Sequence, residues 1–497
     1  MSKNEVDYKR ALSLLKRINT IRIHGKDIQE HFMYEGYNFW QAYQTEIFVL
    51  TKRFTIDPKA TVEEVKKNQE LSFLTACTLW CISSVSFVLL RLRTRIPIFV
   101  FSVDKTPRGT HRCDFRLEEL YQALAVTDTP YAEMLYSPSA SAVIKNMWKR
   151  HRIALYTGGA DITAWRTVQA VRKNKNRLSA QYVPDTVLFT EVELAFVVEL
   201  LTMLESYFVR VPVRVVWMEK VLTQLGVRYV YLIDDMWHCF EILCASARCK
   251  IPSIAIQHGH FTKYHVGVLP CARSYHGTTI KPERLYIWTD YWKQELARIG
   301  SFYEPNDLVV AGIKNGSMTA DHFLHTKTEG SEIGLLIPYE TDVPKERIQG
   351  YLNAIKKHTD VRIYFKPRPD LDLETQLAQY GLSGDSQVTI CPTVSMYEDR
   401  IHVALGTYTT FLYDMIGRGI FVIVAIDILD YGEGMLQRGI ASAVTSSENL
   451  YATIIETIQL GVTELEKRKH ILYGTETTLL YETLVKDIEN KLDTHHV

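Results

Sequence analysis

The sequence lacks an excess of either charge. Lysine plus arginine equals aspartate plus glutamate at 57 each, so no overall field draws the molecule to nucleic acid or to an acidic partner. It also lacks paired cysteines. Cys77, Cys81, Cys113, Cys239, Cys244, Cys249, Cys271 and Cys391 include no C-x-x-C pair and no zinc-ribbon spacing. Repeats and low-complexity tracts are missing, and Met1 to Asp7 carries no apolar run of an export signal. Reduced cysteines without an export signal predict a cytoplasmic protein.

What is present is the make-up of a folded chain, with 46% apolar and 23% charged residues. At 497 residues it exceeds one ordinary core, which predicts two domains. The 28 tyrosines and 8 tryptophans supply rings for cores or for stacking on sugar-like ligands. One stretch, Phe73 to Leu90, contains no charge and is followed by Arg91, Arg93 and Arg95. Its length meets the minimum for a membrane span, and basic flanks suit a cytoplasmic edge. Five hydroxyl residues dilute it (Thr75, Thr78, Ser83, Ser84 and Ser86), and a strand follows almost at once. A buried helix is therefore expected first, peripheral contact with the inner membrane face second, and a span last.

The chain opens with amphipathic helices, over Val6 to Thr20, Phe39 to Phe54 and Val62 to Leu92. Strands are expected at Ile96 to Ser102 and Arg152 to Tyr156, with helices from Val187 to Tyr207 and Val213 to Leu225. A βαβ unit comes next. Strand Arg228 to Ile233 ends in Asp234 and Asp235, a crossover helix covers Met236 to Arg248, and strand Ile251 to Ile256 ends in Gln257-His258-Gly259-His260. Open α/β sheets place ligands at such carboxyl ends. His258, Asp235 and Asp234 are candidates for acid–base work, although an aspartate there also serves as a plain helix cap. Gly259 leaves room for a ligand. His258, His260 and His265 lack a carboxylate or cysteine to complete a metal set, so no metal is expected. The long loop Phe261 to Pro282 precedes strands Leu285 to Trp288 and Leu308 to Gly312.

Polar residues 316–332 read as a linker between a domain of residues 1–315 and a second of residues 333–497. The second alternates regularly: strands at Ile333 to Pro338, Val361 to Phe365, Val388 to Cys391, Ile401 to Leu405 and Phe421 to Ile426, separated by helices, with more helices from Glu448 to Leu492. That alternation predicts a parallel sheet covered on both faces. Gly406, Thr407, Tyr408, Thr409 and Thr410 open a helix, whose free N–H groups suit phosphate. Lys366 and Arg368, spaced by prolines, offer fixed positive charge at another strand end. A capping threonine and ordinary surface cations are the plainer explanations of each feature taken alone.

The run Tyr231-Leu232-Ile233-Asp234-Asp235, then Ile251 to Gly259, then Val309-Val310-Ala311-Gly312, Lys366-Pro367-Arg368-Pro369 and Gly406 to Thr410 resembles GT-B-fold glycosyltransferases of bacterial surface polysaccharides. Teichoic-acid glycerophosphotransferases, capsule polymerases and bacterial sialyltransferases share related patterns. The likeness spans Arg228 to Ala441. It implies an α/β fold of two Rossmann-like domains facing a cleft, with extra N-terminal helices. It further implies a nucleotide sugar as donor substrate rather than any cofactor, and a saccharide or glycolipid acceptor. Lys366, Arg368, Gly406, Tyr408, Thr409, Thr410, Glu433, Tyr339 and Glu340 would then lie on the donor side. Gln257, Gly259 and His260 would lie on the acceptor side, near the acid–base candidates. Many relatives carry His-Pro where this chain has Arg368-Pro369, and arginine cannot act as a general acid at neutral pH. An epimerase or hydrolase of nucleotide sugars, and a non-catalytic scaffold of a polysaccharide assembly complex, are the competing expectations.

Overall fold

The computed structural model describes residues 7–68, 72–92, 95–103, 113–136, 140–150, 153–173, 189–233, 238–271, 277–314, 332–341, 343–369, 371–475 and 478–493. Its centre is two parallel sheets. The first contains β1 (Ile98–Val103), β2 (Tyr131–Tyr136), β3 (Ala154–Tyr156), β4 (Tyr229–Ile233), β5 (Ser253–Ile256), β6 (Arg284–Ile287) and β7 (Leu308–Val310). They lie side by side in the order 3-2-1-4-5-6-7. The second contains β8 (Ile333–Pro338), β9 (Val361–Lys366), β10 (Val388–Ile390), β11 (Val403–Gly406), β12 (Phe421–Ala425) and β13 (Ser442–Val444), in the order 10-9-8-11-12-13. Each sheet thus reverses its strand order once, between β1 and β4 and between β8 and β11, and such a reversal opens a crevice at the carboxyl ends. The expected α/β architecture of two Rossmann-like domains with extra N-terminal helices is the one the chain adopts.

The strands form where continuous apolar runs can be buried on both faces. β8 and β12 are buried along their whole length. β2 is a strand that periodicity does not reveal, because Glu133 interrupts it. That carboxylate is buried and takes the hydroxyl proton donor of Tyr121, which makes a polar residue tolerable there. The N-terminal helices Tyr8–Ile18, Gln44–Ile56 and Pro58–Asn68 pack with Glu191–Phe208, and Arg17 grips Glu193 with two bonds of 3.1 and 2.8 Å. Thr190 and Glu193 cap the start of that last helix reciprocally.

Two expectations need correction. Residues 478–493 do not stay with the second domain. Helix Leu480–Asp493 returns to the first, packing on helix Glu118–Val126, while Asp487 accepts from the Tyr231 hydroxyl at 2.8 Å. The chain therefore passes between domains twice, and the two passages are bonded to each other. Ile313 N–H donates to Thr478 O and Leu480 N–H to Ile313 O, each at 2.9 Å. Gly312 adopts φ +103° there, and a Cβ would stand 2.4 Å from Thr478 O, so no other residue fits. The expected linker lies almost wholly outside the described residues.

The second correction concerns helix Phe73–Arg91. Only 28% of its most apolar 18 residues are buried, so it is not a core helix. Its small and hydroxyl-bearing side faces inward: Ala76, Leu79, Ser83, Ser86 and Leu90 are buried. Ser83 Oγ accepts from the backbone N–H of Tyr156 at 3.1 Å, tying the helix to edge strand β3.

Candidate functional site

After β5 the chain turns through Gln257, His258, Gly259 and His260. Gln257 is buried and structural: its amide donates to Gly259 O at 2.8 Å, and its carbonyl accepts from Trp288 N–H at 2.9 Å. The turn is thereby locked to the end of β6. His258 lies half-buried on it. His260 reaches into the second domain, with Nδ1 2.6 Å from the Thr410 hydroxyl oxygen and its ring against Tyr413 and Tyr431. Desolvation, with His265 and His258 close by, pushes the His260 imidazole down to about 3. It is neutral at pH 7 and supplies a hydrogen bond rather than a charge. Asp234 and Asp235 lie outside the described residues.

In the second domain the reversal point between β8 and β11 holds Glu340, which is 2% exposed. Its carboxylate accepts from the backbone N–H of Thr407 (3.0 Å), Tyr408 (2.9 Å) and Thr409 (2.9 Å), and from the Thr407 hydroxyl (2.7 Å). These are the amides that the sequence offers to phosphate. Burial raises the Glu340 carboxyl while the four hydrogen bonds work against that rise. Glu340 therefore does not look into the crevice. It fixes the loop that does.

Arg368 and Tyr408 meet on one hydroxyl: the Arg368 guanidinium lies 3.4 Å and the Tyr408 phenol 3.1 Å from Thr341 Oγ1. Lys366 is half-buried nearby on β9, and desolvation lowers its ammonium. Tyr339 is turned aside, its hydroxyl donating to Gln379 and its ring covered by Lys345 at 4.4 Å. Gly406 sits against Leu412, where a Cβ would stand 3.1 Å from a methyl. Glu433 is partly engaged, although its side chain is 46% exposed. Lys263 of the first domain donates to it at 2.6 Å and to Asp430 at 3.1 Å. Burial works to raise Asp430, yet the Tyr264 hydroxyl and Lys263 hold it below the usual carboxylate range.

The structure thus brings His260 to Thr410, and Arg368 to Tyr408 through Thr341. It turns Glu340 and Tyr339 to internal partners and pairs Glu433 with Lys263 at the surface. The sequence does not single out Thr341, Lys263, Tyr264, Asp430 or Tyr431, nor Tyr8, which packs on both Tyr264 and Tyr431. Their only signal is residue type within loops. Among the described residues no three side chains of histidine, cysteine, aspartate or glutamate converge as a metal set.

No known protein family and no curated protein sequence matches the chain. Solved structures do resemble it. The calicheamicin glycosyltransferase CalG4 shares 9% identity over 81% of this chain and 99% of its own, with a TM-score of 0.46. MurG of Acinetobacter baumannii shares 10% over 80% and 99%, at 0.45. A UDP-N-acetylglucosamine 2-epimerase shares 12% over 81% and 97%, at 0.42. Likenesses this loose decide nothing about activity, and transferases and epimerases stand side by side among them.

Proposed function

We propose that the chain is a glycosyltransferase that moves a sugar from a nucleotide-activated donor to a hydroxyl of a surface-polysaccharide or glycolipid acceptor. It works in the cytoplasm, without a metal, and touches a membrane face peripherally. The observation that carries this reading is the 2.6 Å contact of His260 with Thr410. That contact closes the carboxyl ends of two Rossmann-like sheets on each other, histidines on one side and cations on the other.

The reading assigns roles as follows. His258, with Asp235 or Asp234, takes the proton of the acceptor hydroxyl. The acceptor oxygen then bonds to the anomeric carbon as its bond to the nucleotide breaks. Glu340 occupies the amides of residues 407–409, so the leaving diphosphate relies on Lys366, Arg368 and the hydroxyls of Tyr408 and Thr409. Glu433 meets the ribose beside Lys263, which holds one of its oxygens.

The same Glu340 cap favours a second reading, a non-catalytic scaffold whose nucleotide seat is filled by its own carboxylate. A melting-temperature panel with CMP, CDP, UDP, GDP and their sugar conjugates separates the two. A ligand at a hundred times its dissociation constant adds about 2.7 kcal/mol. One nucleotide should stand out, and Arg368→Ala should lose the shift. Product analysis with that donor then tells transfer to an acceptor from hydrolysis or epimerisation. Stability that no nucleotide changes would overturn the transferase reading.

A further inference from the structure

Helix Phe73–Arg91 wears its polarity inside out. Leu74 is 75% exposed, Val85 61% and Val88 57%, with Trp80 and Leu89 also outside, whereas Ser83 and Ser86 are buried. Leu74, Cys81, Val85, Val88 and Leu92 recur at spacings of seven, four, three and four residues, so they form one continuous stripe. The neighbouring helix Ala140–Arg150 extends this surface with exposed Ile144 and Met147. Single exposed apolar residues are ordinary in soluble proteins, but a contiguous patch marks a surface that something apolar covers.

Charge identifies what covers it. Arg91 and Arg95 are exposed at one end of the stripe, and Lys145 and Lys149 beside it on the second helix. Neither helix contains an aspartate or glutamate. At the arginine end, Arg91, Arg95 and Arg228 line a recess of about 500 Å³ with no carboxylate among its lining residues. Apolar side chains flanked by cations, with a cationic recess roomy enough for a lipid phosphate, fit the interfacial zone of an anionic bilayer. Trp80 has the amphipathic ring that settles at headgroup depth.

We propose that this face docks the protein in the plane of an anionic membrane. Its apolar stripe enters the acyl boundary, and Arg91, Arg95, Lys145 and Lys149 contact lipid phosphates. The helix does not span: one side is bound to β3 through Ser83 and cannot be surrounded by lipid without unpairing that strand's backbone. A second copy of the chain is the poorer occupant, because a two-fold contact would bring the same four cations together. The helix is about 28 Å long and lies parallel to the membrane. Its middle, at Leu79 and Ser83, adjoins the turn Thr157–Ala160 at the carboxyl end of β3, on the side of the sheet where the candidate site lies. The inference stands without any donor or acceptor chemistry.

The test is flotation of the purified full chain with vesicles of phosphatidylcholine alone and mixed with phosphatidylglycerol, in the absence of nucleotide. The chain should float with the anionic vesicles and be released by salt. Val85→Glu with Val88→Glu should abolish flotation. Lys145→Ala with Lys149→Ala should weaken partitioning roughly thirtyfold. All four positions are exposed, so both variants should keep the wild-type melting temperature. The proposal is overturned if the wild type stays in solution with anionic vesicles, or if the double glutamate variant floats equally well. A dimer in sedimentation that the glutamates disperse, without vesicle binding, would assign the face to a second copy instead.

Discussion

The two sheets share one strand order and handle their reversal points in opposite ways. In the second domain the crevice is lined by a loop whose amides are already satisfied from within, three of them by Glu340. In the first domain the buried charge stands just past the carboxyl end of β3, at Asp161. Arg214 binds Asp161 at 2.7 and 2.8 Å and Glu241 at 3.0 Å, all three nearly without exposure. The histidine turn after β5 is left to reach outward. One domain thus spends an internal carboxylate to make a rigid floor, while the other offers side chains that cross to it. A strand order shared over six strands constrains where a site can form and not what chemistry it receives.

Removing the buried cation of the first domain should have the largest effect. Arg214→Met strands Asp161 and Glu241 in the interior and should cost about 3–5 kcal/mol, read as the urea midpoint. Asp161 is the sensitive partner: burial works to raise its carboxyl, but Arg214 holds it below the usual range.

Glu340→Leu should come next. It leaves one buried amide, at Thr407, and two part-buried ones without their acceptor, the buried one worth about 1–3 kcal/mol and the others relieved in part by water. Destabilisation near that of Arg214→Met, together with lost nucleotide binding, would mark the loop as one rigid unit. Unchanged stability with tighter nucleotide binding would show that Glu340 is a plug rather than a floor.

The smallest effect separates the domains by pH. His260 titrates near 3 when folded and near 6.5 when unfolded, so the unfolded chain binds more protons between those values. Stability from this residue is complete above about pH 6.5 and fades as pH falls toward 3. His238, buried and likewise held low, adds to the same slope. His260→Phe should flatten the fall in melting temperature between pH 6.5 and 4.5 without removing it. An unchanged slope would remove His260 from the account.

Much of this arrangement is legible in the sequence. β8, β9 and β12 stand out as apolar runs, since a parallel strand buried on both faces leaves that trace in composition. β2 and the three-residue β13 do not, the one broken by Glu133 and the other too short to show a period. The histidine turn is legible because strand, polar residues and glycine are contiguous. Glu340 is not, since its partners lie 67 to 69 residues away and nothing local distinguishes a carboxylate that caps amides from one that meets a ligand. Lys263 finds Asp430 and Glu433 across 167 and 170 residues. Helix Phe73–Arg91 shows a different limit. Its composition is plain, but which side faces out depends on where β3 runs.

The paired passage at Ile313 and Leu479 has a mechanical consequence. A single flexible connection would let one lobe swivel, slide and twist against the other. Here the two crossings are pinned to each other where they meet the first lobe, at Ile313, Thr478 and Leu480, so that both leave it from one anchored point. A pull on either crossing is thus shared by the other and by the sheet edge behind them, as two ropes tied to one cleat share a load.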